Sequence, residues 1–247
     1  AAGVATLIPN VGTITINGDG SYSFVPVLNF NGPVPIITYT VTDGSLSSTA
    51  NLTLSVTAVN DAPVANPDVA TVLEDATLTR TAANGLLAND NDVDANTTLS
   101  ITGFTIAGIP INQSVGTLVN MPSVGDITIN ANGSYTFTPL ANYSGAVPVI
   151  TYTVADNGTP VLTATSTLTI SITPVNDPPV VADFTKAGTE DTTLPFTVAD
   201  FTGHYTDVES TALAKIKIVS LPANGLLRLG ATNITAGQEI DAADLAN

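Results

Sequence analysis

Residues 124–156 read VGDITINANGSYTFTPLANYSGAVPVITYTVAD, and the pattern in this stretch decides the fold. Ile127 and Ile129 alternate with Asp126, Thr128 and Asn130, and Tyr135 and Phe137 alternate with Ser134, Thr136 and Thr138. That is the period-two signature of half-buried strands. The two runs meet at Asn132-Gly133, whose tolerance of positive φ suits a tight hairpin. Ile150, Tyr152 and Val154 form the inward face of a further strand, Asp156-Asn157-Gly158 turns it, and Leu168, Ile170 and Ile172 lead back.

The same stretch occurs earlier. Residues 11–43 align on 124–156 without gaps and with about two-thirds of positions identical. Residues 60–78 (NDAPVANPDVATVLEDATL) align in turn on 176–194 (NDPPVVADFTKAGTEDTTL), so the period is about 115 residues. The chain is therefore read as the later part of one unit (1–59), one complete unit (60–175) and the earlier part of a third (176–247). In the complete unit, residues 70–73, 78–87 and 99–106 supply three more strands ahead of the hairpin. Six or seven short strands per period, with no convincing helix, predict an all-β chain of antiparallel sandwiches, linearly arranged.

Each unit opens on a joint: Val59-Asn60-Asp61-Ala62-Pro63-Val64 and Val175-Asn176-Asp177-Pro178-Pro179-Val180. Each joint sets an amide and an acid beside a stiffening proline. Successive antiparallel strands alternate between the two ends of a sandwich, which carries the acids to defined places. Entering at one end, the first strand runs away from it and leaves Glu74-Asp75 at the far end, and the second returns to Asn89-Asp90-Asn91-Asp92-Val93-Asp94. The strand through Tyr152 ends at Asp156. Asp61, Asp92, Asp94 and Asp156 thus converge on one end of the unit, with Asn60 beside them.

Such a rim offers hard oxygen donors, which suit Ca²⁺ with its six to eight oxygen ligands. Like charges brought together without a cation raise one another's pKa, and a bound divalent ion removes that cost. Asp207-Val208-Glu209 repeats the Asp92-Val93-Asp94 spacing, 30 positions beyond Asp177 as Asp92 stands 31 beyond Asp61. Asp90 is open between a ligand and a strand end. Asp19-Gly20, Asp43-Gly44 and Asn132-Gly133 are read as turn formers.

Composition narrows the function. The 247 residues carry 5 Lys+Arg against 21 Asp+Glu, a formal net charge of −16 that repels nucleic acid and anionic membranes. Without cysteine there is no thiol, zinc-thiolate or iron–sulfur chemistry. Thr, Asn, Asp or Pro interrupts every apolar run short of a membrane span, so no membrane insertion is expected. His204, the one histidine, has no catalytic partner near it in sequence and is read as a surface or joint residue. Tyr39, Tyr152, Phe24 and Phe137 lie at strand periodicity and are read as core. No enzyme is indicated.

At these residues the chain resembles the cadherin-like tandem repeats of large bacterial type I-secreted biofilm adhesins of the RTX/VCBS type. The Val-Asn-Asp-x-Pro-Val joint, the Glu-Asp after it, the Asn-Asp-x-Asp loop and the Asn-Gly-Ser-Tyr-x-Phe-x-Pro and Tyr-Thr-Val-x-Asp runs carry the resemblance over nearly the whole chain. Cadherins bind interdomain calcium through a linker Asp-Asn-Asp, an Asp-x-Asp loop, an aspartate after a late strand, and acids of the preceding domain. The resemblance implies Asn60, Asp61, Asp92, Asp94 and Asp156 as ligands at the first joint. At the second it implies Asn176, Asp177, Asp207 and Glu209, with Glu74 and Asp75 from the preceding unit. The acid-rich turn of cadherins is here Asn142-Tyr143-Ser144-Gly145, with no acid, so one or two ions per joint and affinities of about 10⁻⁴ to 10⁻³ M are expected.

The function so implied is a calcium-stiffened extracellular spacer, on the bacterial cell surface or secreted, supporting cell adhesion or biofilm formation. Its partners are neighbouring repeats of the same polypeptide, and cell-surface or matrix polysaccharide through other domains. The alternative is a binding module for polysaccharide or for self-association; an enzyme accessory domain comes third. The partial units at the two ends leave two readings open: an excerpt of a longer polypeptide, or head-to-tail complementation between molecules.

Overall fold

The computed structural model describes residues 2–246 and groups the chain into two units. The first comprises residues 1–72, 76–140 and 145–172; the second comprises Leu73–Asp75, Ala141–Ser144 and the chain from Thr173 onward.

Residues 60–173 hold the sandwich the sequence predicts. Before it come β1 (Thr6–Ile8), β2 (Gly12–Ile16), β3 (Tyr22–Pro26), β4 (Gly32–Pro33), β5 (Ile37–Thr42), β6 (Ser47–Leu52) and β7 (Ser55–Val56). The sandwich itself is built from β8 (Asp68–Leu73), β9 (Leu78–Arg80), β10 (Ser100–Ile106), β11 (Ile109–Gln113), β12 (Leu118–Met121), β13 (Gly125–Ile129), β14 (Tyr135–Pro139), β15 (Ile150–Ala155) and β16 (Thr163–Thr173). One sheet has the order β11-β10-β15-β16-β8 and the other β12-β13-β14-β9. Phe104, Ile150, Tyr152, Val154 and Leu168 from the first sheet and Ile127, Ile129, Tyr135 and Phe137 from the second are buried. These are the alternating apolar positions of the sequence, so the hydrophobic effect acts on one face of each sheet.

The second strand is shorter than the pattern of residues 78–87 suggests. It ends at Arg80, because the Asn84 side chain accepts the Thr81 N–H at 2.7 Å and starts a 3₁₀ turn, Ala82–Asn84. Side-chain oxygens that satisfy the backbone locally compete with a ladder. Two strands the sequence did not reveal, β11 and β12, fill the span before β13. Because they are two, the alternation of ends is unchanged.

The hairpin turns repeat bond for bond. Gly133 sits at φ +81°, and the N–H of Ser134 reaches Asn132 Oδ1 while Asn130 N–H reaches Ser134 O. Asn17, Asp19, Gly20 and Ser21 make the same bonds between β2 and β3. The Ser21 hydroxyl and N–H hold the Asp19 carboxyl below its ordinary range. At the other end of the ribbon Gly125 lies against β14, where a Cβ would come 2.3 Å from Thr138 O.

Residues 1–59 share these turns but not the burial. β1-β2-β3 form one sheet, β5-β6 a two-stranded ribbon and β4-β7 a short pair. Tyr39 and Val41 are 38% and 57% exposed, whereas their counterparts Tyr152 and Val154 are fully buried. The core reading of Tyr39 is corrected: among the described residues no counterparts of β8 and β10 pair with β5 or β6. Tyr152 meanwhile donates its hydroxyl to Asp68 Oδ2 at 2.6 Å and lies 2.9 Å from Asn66 O.

In the second unit, β17 (Val180–Val181) pairs with β18 (Tyr205–Thr206), β19 (Lys215–Lys217) with β22 (Glu239–Asp241), and β20 (Arg228–Leu229) with β21 (Thr232–Asn233). A five-residue helix, α1 (Val198–Thr202), precedes β18. Ile234, Ile240 and Leu245 are buried with Phe201, Ile216 and Leu229 against them. His204 is not simply a surface residue. It stacks on Phe184 at 4.9 Å, with Nδ1 2.9 Å from Asp200 O. The Lys186 ammonium, 2.5 Å from Asp200, together with the N–H and hydroxyl of Thr197, holds the Asp200 carboxyl down to about 2.

Two outcomes follow from these bonds. Tyr152→Phe should lower the unfolding free energy by about 1–3 kcal/mol in urea titrations, by stripping a half-buried carboxylate of its donor. Tyr39→Phe, at the matching exposed position, should leave it unchanged. The second concerns pH. With its folded pKa depressed, Asp200 contributes stability that is present above its unfolded pKa of about 3.9 and is lost as pH falls toward 2. Hydrogen-exchange protection factors around α1, corrected for the intrinsic pH dependence, should therefore fall between those values, and the gap between parent and Asp200→Asn should close across the same interval.

Candidate functional site

The first joint is held by side chains from three distant points of the sequence. Asn60 donates its amide to Asp156 Oδ2 at 2.6 Å and to Pro160 O at 3.0 Å. Asp156 Oδ1 accepts the N–H groups of Leu162 and Gly158. Burial would raise the Asp156 carboxyl, but the Asn60 amide and these two N–H groups outweigh it and hold it below its ordinary value. A Cβ at Gly158 would lie 1.7 Å from Asn60 Oδ1, so a larger residue there would have to displace the Asn60 side chain.

Asp61 is tied to the acidic loop. Its N–H donates to Asp94 Oδ2 at 2.7 Å, and Asp94 N–H donates to Asp92 Oδ1 at 2.8 Å. The loop is docked by the Val64–Asn91 bridge, with bonds of 2.7 and 3.1 Å. Asp92 Oδ2 is buried and has no hydrogen-bond partner. A buried carboxylate oxygen left in this way bears its full desolvation cost, which a cation relieves.

The second joint repeats the arrangement within its own unit. Asp177 N–H donates to Glu209 Oε2 at 3.3 Å, the counterpart of the Asp61–Asp94 bond, and Val180 pairs with Thr206 as Val64 does with Asn91. Asp177 Oδ2 is also buried and unpartnered. Burial pushes the Asp177 carboxyl up, and the charges of Asp75, Glu209, Glu74 and Asp207 push it further. The turn Leu73–Asp75 groups with this unit: Glu74 is buried and its carboxylate accepts the Val175 N–H, and Asp75 Oδ1 accepts the Asn142 N–H at 2.9 Å. Asp207 Oδ1 accepts the Thr211 N–H at 2.8 Å. Asn176 donates its amide to Asp177 O at 3.2 Å.

Among the described residues no three His, Cys, Asp or Glu side chains converge closely enough to hold one metal ion. The donor chemistry is nevertheless that of a hard cation: carboxylate and amide oxygens only, with one orphaned oxygen at each joint. Near the first joint, sequence reasoning left Asp90 open and missed Asp68. Asp90 Oδ1 accepts the Asn66 N–H at 2.7 Å and its Oδ2 is buried without a partner, while Asp68 meets Tyr152. Burial pushes both carboxyls up. Asp68 carries no repeat signal, since Phe184 stands at the matching position.

The comparisons with known proteins bear on this geometry. Residues 60–174 match the bacterial cadherin-like domain. Residues 2–57 match a cadherin-like domain model as well, so cadherin-like domains occupy both repeats that the alignment revealed. No curated protein matches the chain. Among solved structures, the protocadherin gammaB7 EC3-6 cis-dimer matches at 18% identity and a TM-score of 0.52 over 95% of this chain and 57% of that one. The protocadherin gammaB4 extracellular domain matches at 21% and 0.49 over 94% and 38%. Human CDH23 EC21-23 matches at 20% and 0.43 over 95% and 76%. The chain thus spans little more than half, and little more than a third, of the two protocadherin chains. The gammaB7 likeness supports tandem cadherin-like sandwiches as the fold. Cadherin-like domains are extracellular adhesion-type modules. No helix among the described residues is long and apolar enough to cross a membrane.

The close fit at Gly158 is open to test. Gly158→Ala should displace the Asn60 amide and cost about 1.5–3 kcal/mol, the range for a hydrogen bond to a charged group. Asn60→Ala should cost a similar amount, and the double variant should fall well short of the sum in a urea-denaturation cycle.

Proposed function

We propose that this chain is a run of calcium-stiffened spacer repeats from a large bacterial surface adhesin, with units at 1–59, 60–175 and 176–247. The observation that carries the reading is the recurrence of one arrangement at two joints. In each, the linker aspartate N–H is bound to the second acid of the acidic loop, and one carboxylate oxygen is buried and unpaired, on the loop's Asp92 at the first joint and on the linker's Asp177 at the second. Turn chemistry accounts for isolated acids, but not for the same acids meeting twice at one period.

When bound, calcium would neutralise the mutual repulsion of the acids and fix each linker against the unit that follows it. Asn60, Asp61, Asp92, Asp94 and Asp156 would hold it at the first joint. Asn176, Asp177, Asp207 and Glu209, with Glu74 and Asp75, would hold it at the second. The chain's own part is to place the acids: Asn60 anchors the linker on Asp156, and the Asp94 and Glu209 carboxylates cap the linker N–H groups. Loops stiffened in this way make a rod that holds a distant binding domain away from the cell, outside the cell and without catalysis. Its partners are the adjoining repeats of the same polypeptide, and other domains would reach the polysaccharide.

Thermal melts in excess EDTA and through millimolar calcium test the proposal. The parent should gain about 1.4 to 2.7 kcal/mol per site at calcium 10 to 100 times the dissociation constant. Asp92→Asn with Asp94→Asn should lose that gain at the first joint. Asp177→Asn should act with opposite signs, stabilising the chain in EDTA by removing a repelled charge and weakening its calcium response. A parent that does not respond to calcium would overturn the reading and bring forward a binding module for polysaccharide.

A further inference from the structure

The acidic loop of the first joint is tied to the linker at three points: Asp61 to Asp94, Val64 to Asn91, and Asn66 to Asp90. The third tie is built differently at the two joints. In an antiparallel pair the doubly bonded positions recur every second residue. At the second joint the rung after Val180–Thr206 is made by the backbone, where Ala182 N–H donates to His204 O at 2.8 Å. At the first joint the rung after Val64–Asn91 is made by side chains. Asn66 N–H donates to Asp90 Oδ1 at 2.7 Å, the Asn66 amide to Asn89 O at 2.8 Å, and the Asn89 amide to Pro67 O at 3.2 Å. Ala182, His204 and Tyr205 stand where the first joint has Asn66, Asn89 and Asp90, so of the two joints only the first carries the side chains of this clasp.

Asp90 supplies its charged member, and a hydrogen bond to an ionised carboxylate is stronger than one to a carbonyl. Asp92 and Asp94 follow two and four residues later. Holding Asp90 on Asn66 therefore fixes the start of the loop, the Val64–Asn91 pair its middle, and the Asp61–Asp94 bond its end. The charge of Asp90 acts on Asp68 of β8 and on Tyr152 of β15, which places the carboxylate beside the sheet. We propose that Asp90 is a positioning residue of the first joint rather than a ligand, and that it holds the loop on the linker before an ion arrives. The assignment rests on the calcium reading. Without a cation the charges of Asp61, Asp92 and Asp94 push linker and loop apart, and the clasp opposes that spreading. An ion then meets acids already in place, and its binding is not weakened by the entropy of ordering a free loop.

NMR reads this joint by itself: calcium is titrated while the amide signals of residues 89–94 are followed, and amide exchange is measured separately in EDTA. Asp90→Ala should weaken calcium binding by about 10–100-fold, the usual effect of losing a group that orients a ligand. In EDTA it should also open the Asn66 and Asp61 amides to exchange. Asp90→Asn keeps an acceptor for the Asn66 N–H, so it should preserve the protection of both amides. It should bind calcium within about fivefold of the parent, the effect of one screened charge. Ile150→Val, in the core at the end of β15 away from Asp156, should lower the melting temperature and leave calcium affinity unchanged, which separates positioning from a general loss of stability.

An Asp90→Asn variant that binds calcium as weakly as Asp90→Ala makes Asp90 a ligand and overturns the assignment. Unchanged affinity or unchanged exchange in Asp90→Ala overturns it as well. Each of these results leaves the calcium reading standing, whereas a parent that binds no calcium overturns both.

Discussion

An antiparallel sheet gives its chain only two ends at which to turn, and the rest of this molecule depends on that restriction. Acids separated by up to about a hundred residues reach the same rim because the number of strand passes between them has the right parity. The bonds from Asn60 to Asp156 and from Asp61 to Asp94 are its local expression. Proline and glycine refine the geometry, but they do not choose the end. Inserting a pair of strands leaves the rim intact, as β11 and β12 show, whereas inserting one would send Asp156 to the opposite end.

The hydrophobic pattern made the sandwich legible because each strand has to bury alternate residues. The turns were legible because Asn132-Gly133 and Asp19-Gly20 have a local chemistry that does not wait for tertiary contacts. Strand ends were harder to read. Apolar residues continue beyond Arg80, yet the Asn84 side chain captures the Thr81 N–H, a competition that periodicity does not register. β11 and β12 escaped because Pro110 and Gly116 interrupt an otherwise readable alternation. At the joints, parity indicated which acids share an end. The Asp68–Tyr152 contact was invisible, because it depends on a tyrosine hydroxyl of β15 reaching β8 in the same sheet, at a residue outside the repeat pattern.

Electrostatics separates the two joints. At the first, an amide and several N–H groups absorb the charge of Asp156 and leave it easily ionised. At the second, Asp177 has four acids around it and its carboxyl is pushed the other way. Asp156 and Asp177 are different positions of the design, and each takes its balance from the groups gathered around it.

The turn Leu73–Asp75 lies in the sequence of one repeat but groups with the next. The compact unit therefore does not coincide with the sequence repeat. A repeat transplanted into another array would bring its own linker aspartate but inherit its predecessor's Glu-Asp turn. Recombination among such arrays is therefore expected to keep that dipeptide uniform from repeat to repeat, even while the outward faces of the sheets drift apart.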